Sequence, residues 1–294
     1  MGVEGKNIQR DITSALFLLP MVIAFLFTIL IPFAVGVFYT FTDWTGLRYT
    51  EIVGLQNYAT IFRQNDYVYS LIITVVFTLL SMLLVNVASF ALALLCTSDI
   101  RVNNFCRASF FMPNMIGGLV LGYVWQFVFN QALTPFVFEK TMLSDPNLAL
   151  FAIVIVFTWQ YAGYIMMIYI TGLQTIPEAI IEASGIDGAS AARTLFKVKI
   201  PLIANTFTVC VFLTLVNSFK IFDLNFALTS GAPARIVGGR PVSSTEFLAL
   251  NIYQTSIGRN LFALGQAKAV IFFILLAAVA LTQVWISKKS EVEL

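Results

Sequence analysis

The chain has 294 residues, of which 59% are hydrophobic and 11% are charged, and its formal net charge is +2. A soluble domain carries about 25% charged residues, so this composition excludes an ordinary soluble protein and indicates one that crosses a membrane repeatedly. The chain has no histidine, which excludes a His general base, a Ser-His-Asp triad and a His-ligated zinc site. No basic run interleaved with aromatic residues indicates nucleic-acid binding.

Six long uncharged stretches predict six membrane-spanning helices, since each can hold the ~20 residues that cross ~30 Å of hydrocarbon. Together they predict an all-α integral membrane protein with residues 1–294 forming a single transmembrane domain. The first stretch follows Lys6 and Arg10 and is longer than a signal-peptide core, which predicts a retained span. The spans are predicted at about residues 15–40, 69–97, 108–130, 148–172, 202–222 and 266–286.

Local patterns refine the first four spans. Pro20 and Pro32 predict kinks in the first span. Residues 54–58, Gly-Leu-Gln-Asn-Tyr, follow it, and here Gly54 is typical of a turn and Tyr58 of an interfacial anchor. In the third span, the spacing of Gly118 and Gly122 predicts a close approach of two helix backbones. The three cysteines have no metal-ligand spacing and are interpreted as packing residues.

A charged segment, residues 175–201, interrupts the hydrocarbon between the fourth and fifth spans. Thr175 and Glu178 have capping-box spacing, which predicts a helix that Gly185 and Gly188 then break. Asp187 is predicted to cap a second helix, so the segment is expected to form a helix-turn-helix. Eight of the ten residues from 183 to 192 are Ala, Ser or Gly. Such small side chains let another protein approach the backbone closely.

This segment resembles the EAA loop of ABC importer permeases, in particular the carbohydrate-uptake family that includes maltose, oligosaccharide and glycerol-phosphate systems. The resemblance rests on Glu182-Ala183-Ser184, Asp187-Gly188-Ala189, Phe196 and Ile200-Pro201. It extends to the Gly54–Tyr58 segment and to Gly231-Ala232-Pro233, where the family usually has GGP. Two departures are Ser184, where Ala is usual, and Asn205, where many members have a second proline. The glycine-rich stretch from Arg235 to Pro241 is also longer than is usual in the family.

The resemblance implies a type I ABC importer permease fold, with six transmembrane helices and a cytoplasmic coupling loop at residues 175–201. It implies a permease subunit that moves a di- or oligosaccharide into the cytoplasm and is not itself an enzyme. The implied partners are a second homologous permease subunit in a heterodimer, two ATP-binding subunits and an extracytoplasmic sugar-binding protein. The residues that the resemblance assigns to ATPase coupling are Glu182, Ala183, Ser184, Asp187, Gly188 and Ala189.

No cofactor is expected on this chain, and ATP and Mg²⁺ are expected on the partner subunits. The sequence agrees, because it lacks the GxxxxGK[ST] phosphate loop. The implied location is the bacterial cytoplasmic (inner) membrane, with contacts to its lipids. Nine of the 17 Lys and Arg residues fall in the tails and short loops that are interpreted as cytoplasmic, so both termini are expected inside. Lys268 is expected to snorkel to the outer interface.

A substrate path requires polar groups within the spans, and four candidates are Asn217, Asp223, Asn114 and Gln126. Asn217 is the foremost, because an amide deep in hydrocarbon needs a polar partner. A hydrogen bond to a neighbouring helix is the competing interpretation. Two other protein classes stay open: an ion-coupled secondary carrier of small polar solutes and a membrane scaffold without a path. The centres of the spans are uncharged, which argues against proton coupling but not against sodium held by carbonyls.

Overall fold

The computed structural model describes residues 3–49, 51–97, 103–134 and 140–288, which are mostly helical with one two-stranded sheet. In chain order the helices and strands are α1 (Val3–Phe25), α2 (Ile31–Tyr39), α3 (Gln56–Arg63), α4 (Asn65–Cys96), α5 (Asn103–Phe111), α6 (Gly118–Phe127), α7 (Pro146–Gln174), α8 (Glu178–Ile186), α9 (Ala191–Thr194), α10 (Ile200–Leu202), α11 (Ala204–Phe219), α12 (Asp223–Leu228), β1 (Ala234–Val237), β2 (Arg240–Ser243), α13 (Leu248–Tyr253) and α14 (Phe262–Lys288). Shorter 3₁₀ and π-helical turns join several of them.

The chain divides into two compact units. The first consists of the described residues up to Arg63 together with Ile252–Val270, and the second consists of Gln64–Asn251 and the remainder of α14. In the first unit a π-helical turn, Leu26–Leu30, joins α1 to α2. The apolar helical stretch Ser14–Tyr39 is long enough to cross a membrane, and none of its most apolar window is buried. Its side chains are therefore available to lipid or to another subunit.

The Gly54–Tyr58 segment anchors the loop that follows α2. Gly54 has a φ of +57°, as expected for a turn glycine. The Asn57 amide donates to the carbonyl oxygens of Thr40 (2.8 Å) and Thr42 (2.9 Å), and the Tyr58 hydroxyl donates to Thr40 Oγ1 at 2.9 Å. Tyr58 thus holds the end of the first span through a specific hydrogen bond, in addition to any interfacial role.

The centre of the second unit is α7, in which 61% of the most apolar window is buried. The Phe77 ring of α4 lies 5.4 Å from the Phe157 ring of α7. Three polar side chains of this core are paired with one another: the Tyr169 hydroxyl donates to Asn86 Oδ1 at 2.8 Å, and the Asn86 amide donates to Thr214 Oγ1 at 3.3 Å. These bonds connect α4, α7 and α11, and they meet the requirement that polar groups in hydrocarbon find internal partners.

An aspartate caps α7 outside the spanning segment. Asp145 Oδ1 accepts hydrogen bonds from the backbone N–H groups of Asn147 (2.8 Å) and Leu148 (3.0 Å). Because these bonds favour the ionised form, they hold the pKa of the Asp145 carboxyl below its usual range. The cap therefore keeps its charge at neutral pH and defines the start of α7.

Four of the predicted spans correspond to the long helical stretches Ser14–Tyr39, Asn65–Cys96, Pro146–Gln174 and Phe262–Ile286. The other two correspond to bent helix pairs. Asn104–Met115 and Gly118–Leu133 meet at 97°, and Ala191–Leu202 and Ala204–Phe219 meet at 73°. The expectation of one helix at 108–130 is wrong in this respect, because Ile116 and Gly117 are extended after Pro113. The helix of the fifth span ends at Phe219 rather than at 222.

The glycine-rich stretch forms a hairpin. Strand β1 pairs antiparallel with β2 around Gly238 and Gly239, whose φ angles are +58° and +77°. Two successive positive φ angles are typical of a type I′ turn, which matches the twist of a hairpin. The hairpin base is tied to α12 because the Asn225 amide donates to the Thr245 carbonyl at 2.8 Å, while Thr245 Oγ1 donates to the Ala232 carbonyl at 2.7 Å.

One expectation about α14 is wrong. Lys268 does not snorkel to an interface: its side chain is 0% exposed, and Nζ donates to Thr255 Oγ1 at 2.8 Å. The ammonium group is thus solvated by protein groups within the first unit. The physical reason is that a local hydroxyl acceptor offers the hydrogen bond that the interface would otherwise provide.

The close contact of α7 with α5 at Gly163 can be tested by substitution. A Cβ atom on Gly163 would overlap the backbone carbonyl of Phe110, which cannot move away as a side chain could. We expect Gly163→Ala to destabilise the protein by ~1–3 kcal/mol through overpacking. Thermal unfolding of the detergent-purified protein measures the effect.

The matched control is Gly185→Ala in α8, where no described atom lies within 4 Å of the added Cβ. Ala there gains ~1 kcal/mol of helix propensity, so no loss of stability is expected. If Gly163→Ala and Gly185→Ala unfolded at the same temperature, the close approach of α5 and α7 would be refuted.

Candidate functional site

The segment predicted to couple to an ATPase begins with α8, but not through the predicted capping box. Pro177 occupies the N-cap position in extended conformation, and no side chain caps the helix. Thr175 Oγ1 instead donates to the Gly172 carbonyl at 2.7 Å. The capping-box prediction is wrong because the hydroxyl bonds backward to the end of α7, where carbonyl groups lack helical partners.

The turn after α8 depends on Gly188. The Asp187 N–H closes the helix by donating to the Ala183 carbonyl, and the Ala189 N–H donates to the Ser184 carbonyl, both at 3.0 Å. Gly188 between them has a φ of +74°, the left-handed conformation common just after a helix. Gly185, which was also expected to break the helix, lies inside α8.

The second half of the loop has a different cap from the one predicted. Asp187 ends α8 and does not cap the next helix. Ser190 caps the next helix, α9, since its Oγ accepts a hydrogen bond from the Arg193 N–H at 3.3 Å. Ser184 and Thr194 hold the two halves together through a hydroxyl pair at 3.1 Å. Ser184, a departure from the usual alanine of the resembled family, thus makes a contact across the loop.

The loop presents an exposed mixed surface. Glu182, Ala183, Asp187 and Gly188 are exposed, and Ser184 and Ala189 are half-buried. Ile186 is 88% exposed, and Phe196 is 65% exposed. Large apolar side chains this exposed beside small residues are typical of a protein interaction surface. The sequence had indicated the small residues but not the projecting Ile186.

A polar cavity lies near the end of α11 that is farther from the loop. Its volume is about 220 Å³, and it is lined by Gly118, Phe157, Gln160, Tyr161, Asn217, Lys220, Ile221, Phe222, Asp223 and Leu224. The half-buried Asn217 lies two residues before the end of α11, and Asp223 is the first residue of α12. Along α11, Ala204 and Phe219 are ~22 Å apart at ~1.5 Å per residue. The cavity and the loop therefore lie toward opposite ends of one helix.

Two glycines of α6 position Asp223 beside this cavity. A Cβ on Gly118 would lie 2.9 Å from Asp223 Cβ, and one on Gly122 would lie 2.5 Å from Ala227 Cβ. Only glycine leaves room for α12 to pack this closely on α6. The close approach predicted from the spacing of Gly118 and Gly122 is confirmed, and its partner is α12.

The structure brings together two of the four candidate path residues. Asn217 and Asp223 line the cavity, whereas Asn114 and Gln126 do not. The Gln126 amide donates to the Leu228 carbonyl at 3.2 Å, at the end of α12. Sequence reasoning missed Gln160 and Tyr161. An isolated glutamine within the apolar run of α7 was the available signal, because an amide at that depth requires a partner.

Gln160 also supports the broken helix pair beside the cavity. Its side chain is 7% exposed, and its amide nitrogen donates to the Ile116 carbonyl at 3.2 Å. Ile116 lies in the extended break before α6, where the carbonyl has lost its helical partner. Within the described ranges, no group of three or more His, Cys, Asp or Glu side chains could hold a metal ion. The polar groups of the cavity are thus amides, a phenol and two opposite charges.

Comparison with known proteins places these features in a family. The family described as "Binding-protein-dependent transport system inner membrane component" matches residues 89–292. The "Probable starch degradation products transport system permease protein AmyD" of Thermoanaerobacterium thermosulfurigenes is 39% identical over 300 residues, covering 100% of each chain. The "Multiple sugar-binding transport system permease protein MsmF" of Streptococcus mutans is 33% identical, covering 89% of this chain and 90% of that relative.

The fold has a counterpart among solved structures. A chain from the crystal structure of a bacterial ABC transporter involved in the import of the acidic polysaccharide alginate superposes with a TM-score of 0.81, covering 97% of this chain and 98% of that chain at 17% identity. This likeness concerns the fold alone. Together with the family match, it confirms the predicted fold class, a mostly helical type I ABC importer permease-like fold. The β1–β2 hairpin departs from the all-α expectation. The chain therefore belongs to the family of inner membrane components of binding-protein-dependent transport systems.

Proposed function

We propose that this chain is the permease subunit of an ABC importer that moves a di- or oligosaccharide into the bacterial cytoplasm. The observation that carries the proposal is the 39% identity, over the full length of both chains, to a permease named for starch degradation products. A second relative is named for multiple sugar binding. The cavity supports the proposal, since amide, carboxylate and ammonium groups match the hydroxyl groups of a sugar.

The energy source in this proposal lies on other chains. Two ATP-binding subunits hold ATP and Mg²⁺, and one of them binds the loop at residues 175–201 through Glu182, Ala183, Ser184, Asp187, Gly188 and Ala189. The exposed Ile186 and the absence of a phosphate-loop sequence support this assignment. A second homologous permease completes a heterodimer, and an extracytoplasmic binding protein delivers the sugar. Family membership does not favour the ion-coupled carrier.

Purification tests the proposal as a whole. The tagged chain, extracted in mild detergent from its native membrane, is expected to retain an ATP-hydrolysing subunit and a second permease. Reconstituted into vesicles with the binding protein, the complex should take up a labelled maltodextrin only when ATP is present. Uptake by the chain alone, driven by an ion gradient, would refute the proposal in favour of a carrier.

A bulky residue at Gly188 should abolish transport. Gly188→Leu places a side chain in a left-handed turn and in the open space that the ATPase subunit is proposed to occupy. We expect uptake to fall at least ~100-fold, equivalent to ~2.7 kcal/mol, while the chain still inserts and assembles with the second permease. Vesicle uptake and co-purification measure these two effects.

The matched variant is Gly188→Asn, because asparagine tolerates the left-handed conformation and adds less bulk. It should retain more transport than the leucine variant. Glu182→Ala, which removes a charge without adding bulk, should also be milder. Unimpaired uptake by Gly188→Leu would remove the coupling role from this turn.

The proposed orientation places both termini and residues 175–201 in the cytoplasm. In a background in which Cys96, Cys106 and Cys210 are replaced, we compare single cysteines at two highly exposed positions, Ile186 (88%) and Leu47 (98%). Leu47→Cys should react with a membrane-impermeant maleimide in intact spheroplasts, and Ile186→Cys should react only after permeabilisation. The reverse pattern would invert the topology and exclude ATPase binding at the loop.

Asn217 and Asp223 are proposed to contact the sugar, and Asn217→Leu tests the path. The substitution preserves approximate size but removes the amide from the cavity. We expect sugar uptake to fall at least ~10-fold, or ~1.4 kcal/mol, with assembly and basal ATP hydrolysis retained. If Asn217 only bonds a neighbouring helix, the variant will transport the native sugar with unchanged rate and apparent affinity. Asn114 and Gln126 stay predictions from the sequence alone.

A further inference from the structure

We propose that Lys220 and Asp223 make the cavity selective for uncharged sugars, and that each one excludes sugars bearing charge of its own sign. The inference rests on the proposed function, because it requires the cavity to lie on the sugar path. It extends that function by naming the substrate class and two residues that determine it.

The first observation is the charge balance of the cavity lining. Of its ten residues, Lys220 and Asp223 are the charged ones, and their formal charges cancel. Both side chains are exposed, so both charges are accessible to a ligand. The remaining polar groups, Asn217, Gln160 and Tyr161, are neutral. An anionic sugar that is attracted by Lys220 is repelled by Asp223, and a cationic sugar meets the reverse. Without a net attraction, neither recovers the hydration free energy that it loses on entering the cavity.

The second observation is the chemistry that the lining offers to an uncharged sugar. A hydroxyl group both donates and accepts, so it can donate to the Asp223 carboxylate or accept from the Lys220 ammonium. The rings of Phe157 and Tyr161 are stacked with centroids 4.4 Å apart, which adds an apolar wall. The volume of about 220 Å³ is below the ~300 Å³ at which drug-sized sites begin, so the cavity suits one sugar ring of a longer chain.

The third observation is that the backbone that carries Asp223 packs closely against α6. Gly118 lets α12 approach α6 so closely that a Cβ on that glycine would lie 2.9 Å from Asp223 Cβ. Asp223 of α12 and Tyr161 of α7 line the same cavity. The close packing of α12 on α6 thus fixes the backbone position from which the Asp223 carboxylate meets a ligand there.

The test measures binding of two probes that differ in one group. Methyl α-maltoside is the neutral probe, and the anionic probe is the same disaccharide with the C6 hydroxymethyl group of its terminal ring oxidised to a carboxylate. Both are titrated by calorimetry into the assembled transporter in nanodiscs without binding protein, so that the permease alone selects. The parent is expected to bind the neutral probe at least ~10-fold more tightly.

Asp223→Asn leaves the cavity with a net positive charge and should shift the affinity ratio at least ~10-fold toward the anionic probe. Lys220→Gln should shift the ratio in the opposite direction. The matched control is Glu51→Gln, which also removes one exposed carboxylate but does not line the cavity. It should leave the ratio unchanged. Thermal unfolding of each complex confirms that the variants are folded.

The outcomes separate this inference from the proposed function. If the parent binds both probes equally, or if Asp223→Asn changes the ratio no more than Glu51→Gln, charge selection is refuted while the sugar path stands. If the assembled parent binds neither probe, charge selection at this cavity is refuted. ATP-dependent uptake of labelled maltodextrin by the same complex then decides separately whether the proposed function stands. Opposite shifts in the two cavity variants support charge selection.

Discussion

The second unit depends on how closely neighbouring helices approach α7. Gly163 lies against the Phe110 carbonyl of α5, Gly172 lies against Thr206 of α11, and Ser89 Oγ of α4 donates to the Ala162 carbonyl at 2.9 Å. In hydrocarbon, lipid tails are as apolar as leucine, so helices associate through packing and interhelical hydrogen bonds rather than through the hydrophobic effect. Small residues on α7 allow close packing and leave its backbone open to an interhelical hydrogen bond. These contacts explain why α7 is the most buried of the long helices.

The two bends in the helical framework create the functional regions. Non-helical backbone at membrane depth is tolerated where it is buried in protein or lines a cavity. At the 97° bend the Ile116 carbonyl accepts a hydrogen bond from the Gln160 amide, and the cavity opens beside the same glutamine. At the 73° bend, Ile203 separates the charged loop from α11. The irregular backbone at the 97° bend is therefore paired with a protein group beside the cavity, and the irregular backbone at the 73° bend lies next to the loop.

Helix α11 connects these two regions through continuous hydrogen-bonded backbone. It begins next to the loop and ends next to Lys220. Its middle is tied to α4 because the Asn86 amide donates to Thr214, and Asn86 Oδ1 accepts in turn from the Tyr169 hydroxyl of α7. Under the proposed function, a displacement of the loop by an ATPase subunit would reach the cavity through one helix. The Ser184–Thr194 hydroxyl pair links the two halves of the loop.

Five features could be predicted from the amino-acid sequence: the membrane class, the approximate spans, the charged loop, the turn at Gly188 and the close approach at Gly118 and Gly122. These follow from composition, length and local stereochemistry, which act within a few residues along the chain. The helix-cap predictions were wrong because Thr175 and Ser190 each have several backbone groups within reach. Local spacing does not show which of these hydrogen bonds forms. The three-dimensional fold was needed to show that Gln160, Asn217 and Asp223 share one cavity, that Gln126 does not line it, and that Lys268 is buried. Those outcomes depend on which faces of distant helices meet, and that is set by packing between segments far apart in the sequence.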